Sequence, residues 1–93
     1  MNIPKHLTPE SKLIWAKMNK TYMLDDEQSL LLKVALESYD RMQLCRLAIV
    51  ADGILIASHT GTKHLNPAIQ AEKIAVSNFL QSWRLLGCGE PPK

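Results

Sequence analysis

The stretch Gly53-Ile-Leu-Ile-Ala-Ser-His-Thr-Gly61-Thr-Lys-His-Leu-Asn66-Pro67 separates two long helical patterns and decides the fold. Gly53 ends the preceding apolar-periodic segment, because glycine tolerates the positive φ found just after many helices. The residues between Gly53 and Gly61 are too few and too β-branched for another helix, and Gly61 allows the chain to reverse. Asn66-Pro67 then starts a new helix, with an Asx cap followed by proline at the first helical position. The sequence therefore predicts a short β-ribbon over about residues 54–65.

Three helices are predicted around this ribbon. Thr8-Pro9 marks the start of the first, with a cap and proline at the first helical position. Asp25 and Gln28 have the spacing of a capping box, and neither glycine nor proline interrupts the segment that follows. The predicted helices cover about residues 9–22, 26–52 and 67–86, followed by a flexible tail over 88–93. The predicted fold class is mainly α, as a single oligomeric domain.

The second predicted helix is apolar over more of its circumference than a surface helix needs. One stripe consists of Leu31, Met42, Cys45 and Ile49, and another of Leu32, Leu36, Tyr39, Leu47 and Val50. Only two other helices are present to cover both stripes. We therefore expect part of this surface to be shared with another subunit.

Two charged residues interrupt the apolar patterns. Arg46 lies within the apolar arc of the second helix, and Glu72 lies within the main stripe of the third. In one interpretation each residue lies near an edge and extends its charged end to water. In the other the two side chains pair, either within one subunit or across an interface.

Length and composition limit which classes of protein this chain can belong to. The 93 residues and 46% hydrophobic content predict one domain with a modest core. No apolar run approaches the roughly 20 residues that span a bilayer, and the N-terminus lacks a secretory apolar segment. Cys45 and Cys88 do not form the pattern of a disulfide framework. A reduced, cytoplasmic protein without a membrane segment is predicted.

Positive charge is concentrated at the start of the chain. Before Asp25 there are four lysines and one glutamate, a net charge of +3, whereas the remainder carries seven basic and eight acidic residues, a net of −1. The predicted DNA-binding residues are Lys5, Lys12, Lys17 and Lys20. The last three share a face of the first helix, and such a face gives sequence-tolerant contact with phosphates instead of base readout. The alternative interpretation is an ordinary solvated helix face.

Catalytic and metal-binding patterns are not predicted. His59 and His64 lie on the ribbon without a Cys, Asp or Glu in that loop to complete a metal site. Asp25-Asp26-Glu27 is explained as a set of helix-start acids that complement the helix dipole. Gly61-Thr-Lys63 lacks the rest of a phosphate-binding loop. We therefore expect no enzyme, no metal and no cofactor.

The ordered set of features resembles a known family over nearly the whole chain. It comprises Leu7 to Trp15, Leu24-Asp25-Asp26, Tyr39, Gly53, Gly61, Asn66-Pro67 and Leu85-Leu86-Gly87 followed by Pro91. This order and spacing are similar to those of the short terminase small subunits of tailed bacteriophages and prophages. Such proteins assemble into rings, recognise the packaging start on viral double-stranded DNA, and work in the bacterial host cell with a large subunit that holds the ATPase and nuclease.

The resemblance implies that the second and third helices build the contacts between subunits and that the basic first helix contacts DNA. The expected interface residues are Leu32, Leu36, Tyr39, Arg46, Leu47, Val50, Glu72 and Trp83. A competing hypothesis is a helical protein–protein interaction or regulatory module whose basic face is merely solvated. That hypothesis predicts a monomer or dimer without salt-dependent affinity for DNA.

Overall fold

The described part of the chain contains three α-helices with a two-stranded antiparallel ribbon between the second and the third, which confirms the predicted mainly α fold. The structure, a computed structural model, describes residues 3–91. The elements are α1 (Pro9–Thr21), α2 (Asp26–Asp52), β1 (Leu55–Ala57), β2 (Lys63–Leu65) and α3 (Pro67–Leu86). α1 ends one residue before the predicted bound because the backbone of Tyr22 is extended, with φ −122° and ψ 144°. The oligomeric state stays a prediction.

Each helix begins at the cap that the sequence indicates. The Thr8 side chain accepts a hydrogen bond from the backbone N–H of Ser11. Asp25 and Gln28 form a reciprocal capping box. Asn66 caps α3 by accepting from the backbone N–H of Ala68. These side chains satisfy backbone donors that have no partner within the first turn, which fixes where each helix starts.

The ribbon is short and is tied to the helices at its base. Its register pairs Leu55 with Leu65, Ile56 with His64 and Ala57 with Lys63. Gly61 in the turn and Gly53 before β1 both have φ 83°, a conformation that glycine adopts without strain. The side chain of Asn66 donates to the carbonyl of Gly53 at 2.9 Å. One asparagine therefore both caps α3 and closes the base of the ribbon.

α2 and α3 pack side by side and run antiparallel. The rings of Tyr39 and Phe79 are 5.4 Å apart, and further along the pair Arg46 contacts Glu72. Later residues of α2 thus contact earlier residues of α3, which means that the two helices run in opposite directions. The buried hydrophobic core consists of Leu7, Trp15, Met18, Leu32, Ala35, Leu36, Tyr39, Met42, Ala75, Phe79, Trp83 and Leu86.

α1 is fastened to the middle of α2 through Asp40. The Asp40 carboxylate accepts hydrogen bonds from the backbone N–H of Thr8 at 3.1 Å and from its hydroxyl at 2.7 Å. The hydroxyl of Ser11 donates to the same carboxylate. Beside it, the Tyr39 hydroxyl donates to Glu10 at 2.8 Å. The start of α1 is therefore held at residue 40, and the helix runs back toward the start of α2.

The other end of α1 contacts the chain after α3. The Tyr22 hydroxyl donates to the carbonyl of Cys88 at 3.1 Å, and the Trp83 indole N–H donates to the carbonyl of Gly89 at 3.1 Å. The first residues of the predicted tail are thus hydrogen-bonded to the helices. Flexibility of this tail stays a prediction, and Pro92 and Lys93 lie outside the described residues.

Coverage of α2 is uneven along its length. We call residues 26–40 of α2 its proximal half and residues 41–52 its distal half. α1 lies against the proximal half, whereas the distal half is flanked by α3 and continues into the ribbon. The molecule is accordingly elongated, with extents of 55 × 22 × 19 Å.

Replacing Asp40 by alanine should lower the free energy of unfolding by about 2–3 kcal/mol, because three donors lose a charged acceptor at a half-buried position. Urea denaturation followed by circular dichroism measures this change. The matched control is Asp52→Ala at the exposed end of α2, which should stay within about 0.5 kcal/mol of the wild type. Equal losses in the two variants would contradict the anchoring role of Asp40.

Stability should decline at alkaline pH through Tyr39. Burial raises the pKa of the Tyr39 hydroxyl most, and the hydrogen bond to Glu10 raises it further. The hydroxyl loses its proton near its ordinary pKa of about 10 in the unfolded chain, but only at higher pH in the folded chain. The stabilisation of the folded state by the protonated hydroxyl is therefore complete below about pH 10 and falls as the pH rises through the folded pKa. Thermal unfolding between pH 8 and 11 should show a shallower decline in Tyr39→Phe. Identical slopes would refute the assignment.

Candidate nucleic-acid interface

Two of the three predicted lysines of α1, Lys17 and Lys20, lie on the side of the helix that faces away from the core, and Lys12 lies at the edge of that side. Trp15 and Met18 are buried against α2 and α3, so residues about half a turn away point outward. Lys17 and Lys20 are exposed and Lys12 is half-buried. We call the side that carries these three residues the lysine face of α1, and its contact with DNA stays a prediction.

These lysines are free of internal ion pairs. Among residues 3–91, the side-chain pairs within ion-pair distance are His6–Glu37 and Arg46–Glu72. The acidic groups closest to the start of α1 are engaged on the α2 side, since Glu10 accepts from Tyr39 and Asp40 from Thr8. The positive charge of the lysine face is therefore available to an external anion.

Lys5 precedes α1 and is followed directly by two residues that contact the rest of the molecule. Leu7 is buried in the core, with 3% of its surface exposed, and His6 Nε2 lies 2.8 Å from Glu37 Oε2. Lys5 itself is exposed. Lys5 therefore adds one further exposed cation just before the start of α1.

The composition of the lysine face favours electrostatic contact. Both tryptophans are core residues, with Trp15 1% and Trp83 3% exposed, so neither is available for stacking on a base. The side chain between the lysines is Leu13, which is 72% exposed. Glu90 and Lys17 line the same shallow depression, so the negative charge of Glu90 weakens the positive potential at that edge of the lysine face. Such a surface suits sequence-tolerant binding of phosphates, the term that dominates non-specific affinity for DNA.

Half of the predicted interface residues belong to the core of the single chain. They are Leu32 and Leu36 at 0% exposure, Tyr39 at 1% and Trp83 at 3%. A side chain enclosed in this way has no surface to offer a second folded subunit, so the prediction for these four is wrong. The physical reason is that α1 and α3 converge on the proximal half of α2 and cover it from two sides.

The other four predicted interface residues remain at the surface. Leu47 is 65% exposed and Val50 is 83% exposed. Arg46 Nε lies 3.0 Å from Glu72 Oε2, with 49% and 28% of the side chains exposed, so the hypothesis that they pair is confirmed within one subunit. The interface role of all four stays a prediction.

Sequence analysis missed further exposed apolar side chains, one on α2 and three at the ribbon. They are Leu44 (65% exposed), Ile54 (62%), Leu55 (54%) and Leu65 (63%). The available signal was the apolar spacing of Leu47, Val50 and Ile54, which continues the stripe of α2 past the end of the helix. The distal end of the molecule is thus more apolar at its surface than the sequence indicated.

The structure also bears on metal sites, membrane-spanning helices and cysteines. No group of three or more His, Cys, Asp and Glu side chains within residues 3–91 is arranged to hold a metal ion. Across this same span, every helix is too short or too polar to cross a bilayer. Cys45 and Cys88 are free thiols, both half-buried.

Comparisons with known proteins gave no match to a family model, a curated protein or a solved structure. Function is therefore inferred from the surfaces described above, chiefly the lysine face of α1.

Proposed function

We propose that this chain is an oligomeric DNA-binding adaptor for viral genome packaging, a terminase small subunit. The observation that carries the proposal is the lysine face of α1, whose cations make no ion pair within the described residues. The ordered sequence features that resemble the small terminase family supply the biological setting. Contact with double-stranded DNA is assigned to Lys5, Lys12, Lys17 and Lys20.

Repetition of the lysine face in several subunits is what gives sufficient affinity for DNA. One chain presents four lysines, which alone give weak affinity at physiological salt. A closed ring repeats the same face in every subunit, so a duplex that touches several subunits neutralises several sets of phosphates at once. The rigid attachment of α1 to Asp40 keeps these sets at fixed spacing.

The catalytic steps of packaging are assigned to a separate large subunit with ATPase and nuclease activity. In this proposal the small subunit positions DNA and presents it to that partner. The setting is the cytoplasm of a bacterial host cell.

A helical protein–protein interaction module is the second candidate. The exposed apolar side chains of the distal half favour it, because Leu47 and Val50 offer contact area to a protein partner. In that case the lysine face is only solvated. The two candidates differ in the size of the particle and in the response of DNA binding to salt.

Light scattering at micromolar concentration should give a particle several times the mass of one chain. Self-association is expected because apolar side chains such as Leu47 and Val50 remain exposed on each chain, and the family resemblance implies that the assembly closes into a ring. A monomer or dimer would favour the interaction module.

Replacing Lys12, Lys17 and Lys20 together by glutamine should weaken binding to duplex DNA while leaving the mass of the assembly unchanged. In a plot of log affinity against log salt concentration, each phosphate contact contributes about 0.9 to the slope. Loss of three lysines should therefore make the slope shallower by about 2.7 for each subunit that contacts DNA. Fluorescence anisotropy over a salt series measures both quantities.

The matched control removes the same charge elsewhere, through Lys33→Gln, Lys73→Gln and Arg84→Gln on α2 and α3. It should retain most of the affinity and the slope. If the two triple variants behave alike, the lysine face has no specific role and the assignment fails.

A further inference from the structure

The chain after α3 turns back along the helix that it has just left. Gly87 has φ 75° and Gly89 has φ 89°, a conformation that residues with a Cβ rarely adopt. After this turn, Glu90 lines the same depression as Leu80, which lies more than one turn before the end of α3. We call residues 87–91 the strap.

Two hydrogen bonds hold the backbone of the strap against the helices. The Trp83 indole N–H donates to the carbonyl of Gly89, and the Tyr22 hydroxyl donates to the carbonyl of Cys88, both at 3.1 Å. Both bonds join neutral groups, and neutral hydrogen bonds contribute less than the charged ones that hold α1 at Asp40. The strap should therefore detach more readily than α1 does.

Open space remains on both sides of the strap. A depression of about 230 Å³ lies between the strap and α3. A second depression, of about 170 Å³, lies between the strap and α1 and includes Lys17. Trp83 and Glu90 line both depressions. The strap thus covers Trp83 without filling the surface around it.

Glu90 brings a negative charge to the edge of the lysine face. Glu90 and Lys17 are both exposed and line one depression, but their side chains do not lie within ion-pair distance. A DNA phosphate that approaches Lys17 meets the Glu90 carboxylate in the same space, and the two negative groups repel each other. Docking of the strap and contact of Lys17 with a phosphate are therefore antagonistic, and by linkage each weakens the other.

We propose that the strap is an autoinhibitory element, which lowers the affinity of the lysine face for DNA while it is docked on Trp83 and which DNA phosphates displace. The inference rests on the proposed function, since it requires contact between Lys17 and DNA, and it adds regulation of that contact. Release removes the Glu90 charge and opens the depression beside α1. The helices need not move, because the strap begins after the last residue of α3.

The first test removes the charge of the strap. Glu90→Gln should raise the affinity for a fluorescein-labelled duplex about two- to threefold at low salt, the size expected for one repulsion between unit charges several ångströms apart in water. Fluorescence anisotropy measures the affinity. The matched control is Glu27→Gln, which removes the same charge from an exposed residue that lines neither depression. An equal rise in both variants would contradict the role of Glu90.

The second test releases the strap without changing any charge. Tyr22→Phe removes the hydrogen bond to Cys88, and Gly89→Ala places a Cβ at φ 89°, which disfavours the docked backbone. This release variant should bind DNA about as tightly as Glu90→Gln does. Adding Glu90→Gln to it should give little further rise, because the carboxylate has already left Lys17. An unchanged affinity in the release variant, or fully additive effects, refutes the strap.

Tryptophan fluorescence reports displacement directly. Trp83 is 3% exposed beneath the strap, so its emission should move to longer wavelength when an unlabelled duplex is added to the wild type. The release variant should already emit at longer wavelength and change little on binding. The other tryptophan, Trp15, is 1% exposed and common to both proteins. Absence of a shift in the wild type shows that DNA does not displace the strap.

Circular dichroism and light scattering should show that every variant keeps the helical content and the mass of the wild type, since the substituted side chains lie at exposed positions. The emission of the wild type and the affinity of Glu90→Gln test the strap without the release variant.

The outcomes separate this inference from the proposed function. If the wild type binds DNA with salt-dependent affinity and no variant binds more tightly, the strap alone is overturned. If neither the wild type nor the release variant shows salt-dependent affinity, both proposals are overturned. Affinity that appears only in the release variant supports both.

Discussion

The attachment of α1 at Asp40 is the constraint on which the surface of the molecule depends. α1 has 13 residues and α2 has 27, so α1 is about 20 Å long and α2 about 40 Å. Because Asp40 fixes the start of α1 at the midpoint of α2, the shorter helix covers only the proximal half. The residues of this apolar stripe that precede Asp40 are therefore buried in the core, and those that follow it remain at the surface.

Sequence periodicity predicted the elements well because their signals are local. Thr8, Asp25 and Asn66 occupy the N-cap positions of the three helices, and each cap is formed within three residues along the chain. Gly53 and Gly61 take the positive φ that the ribbon requires. Boundaries of this kind are determined by neighbouring residues, so a single sequence contains the information needed.

The division of the α2 stripe could not be predicted in the same way. Leu36 and Val50 belong to one stripe of the sequence, yet the first is 0% and the second 83% exposed. The difference arises from the hydrogen bonds between Thr8 and Asp40, which join residues 32 positions apart. No periodic pattern records that contact. For this reason the expected interface included four core residues, whereas the arrangement of the lysines on α1 follows from the periodicity of a single helix.

The distribution of charge decides which surface can face DNA. The chain has a net charge of only +2, but the first quarter carries +3 and residues 25–37 carry −3. A chain that contacted DNA with its whole surface would lose affinity through this acidic segment. Binding through the lysine face alone, on a helix that Asp40 holds in one position, avoids this loss.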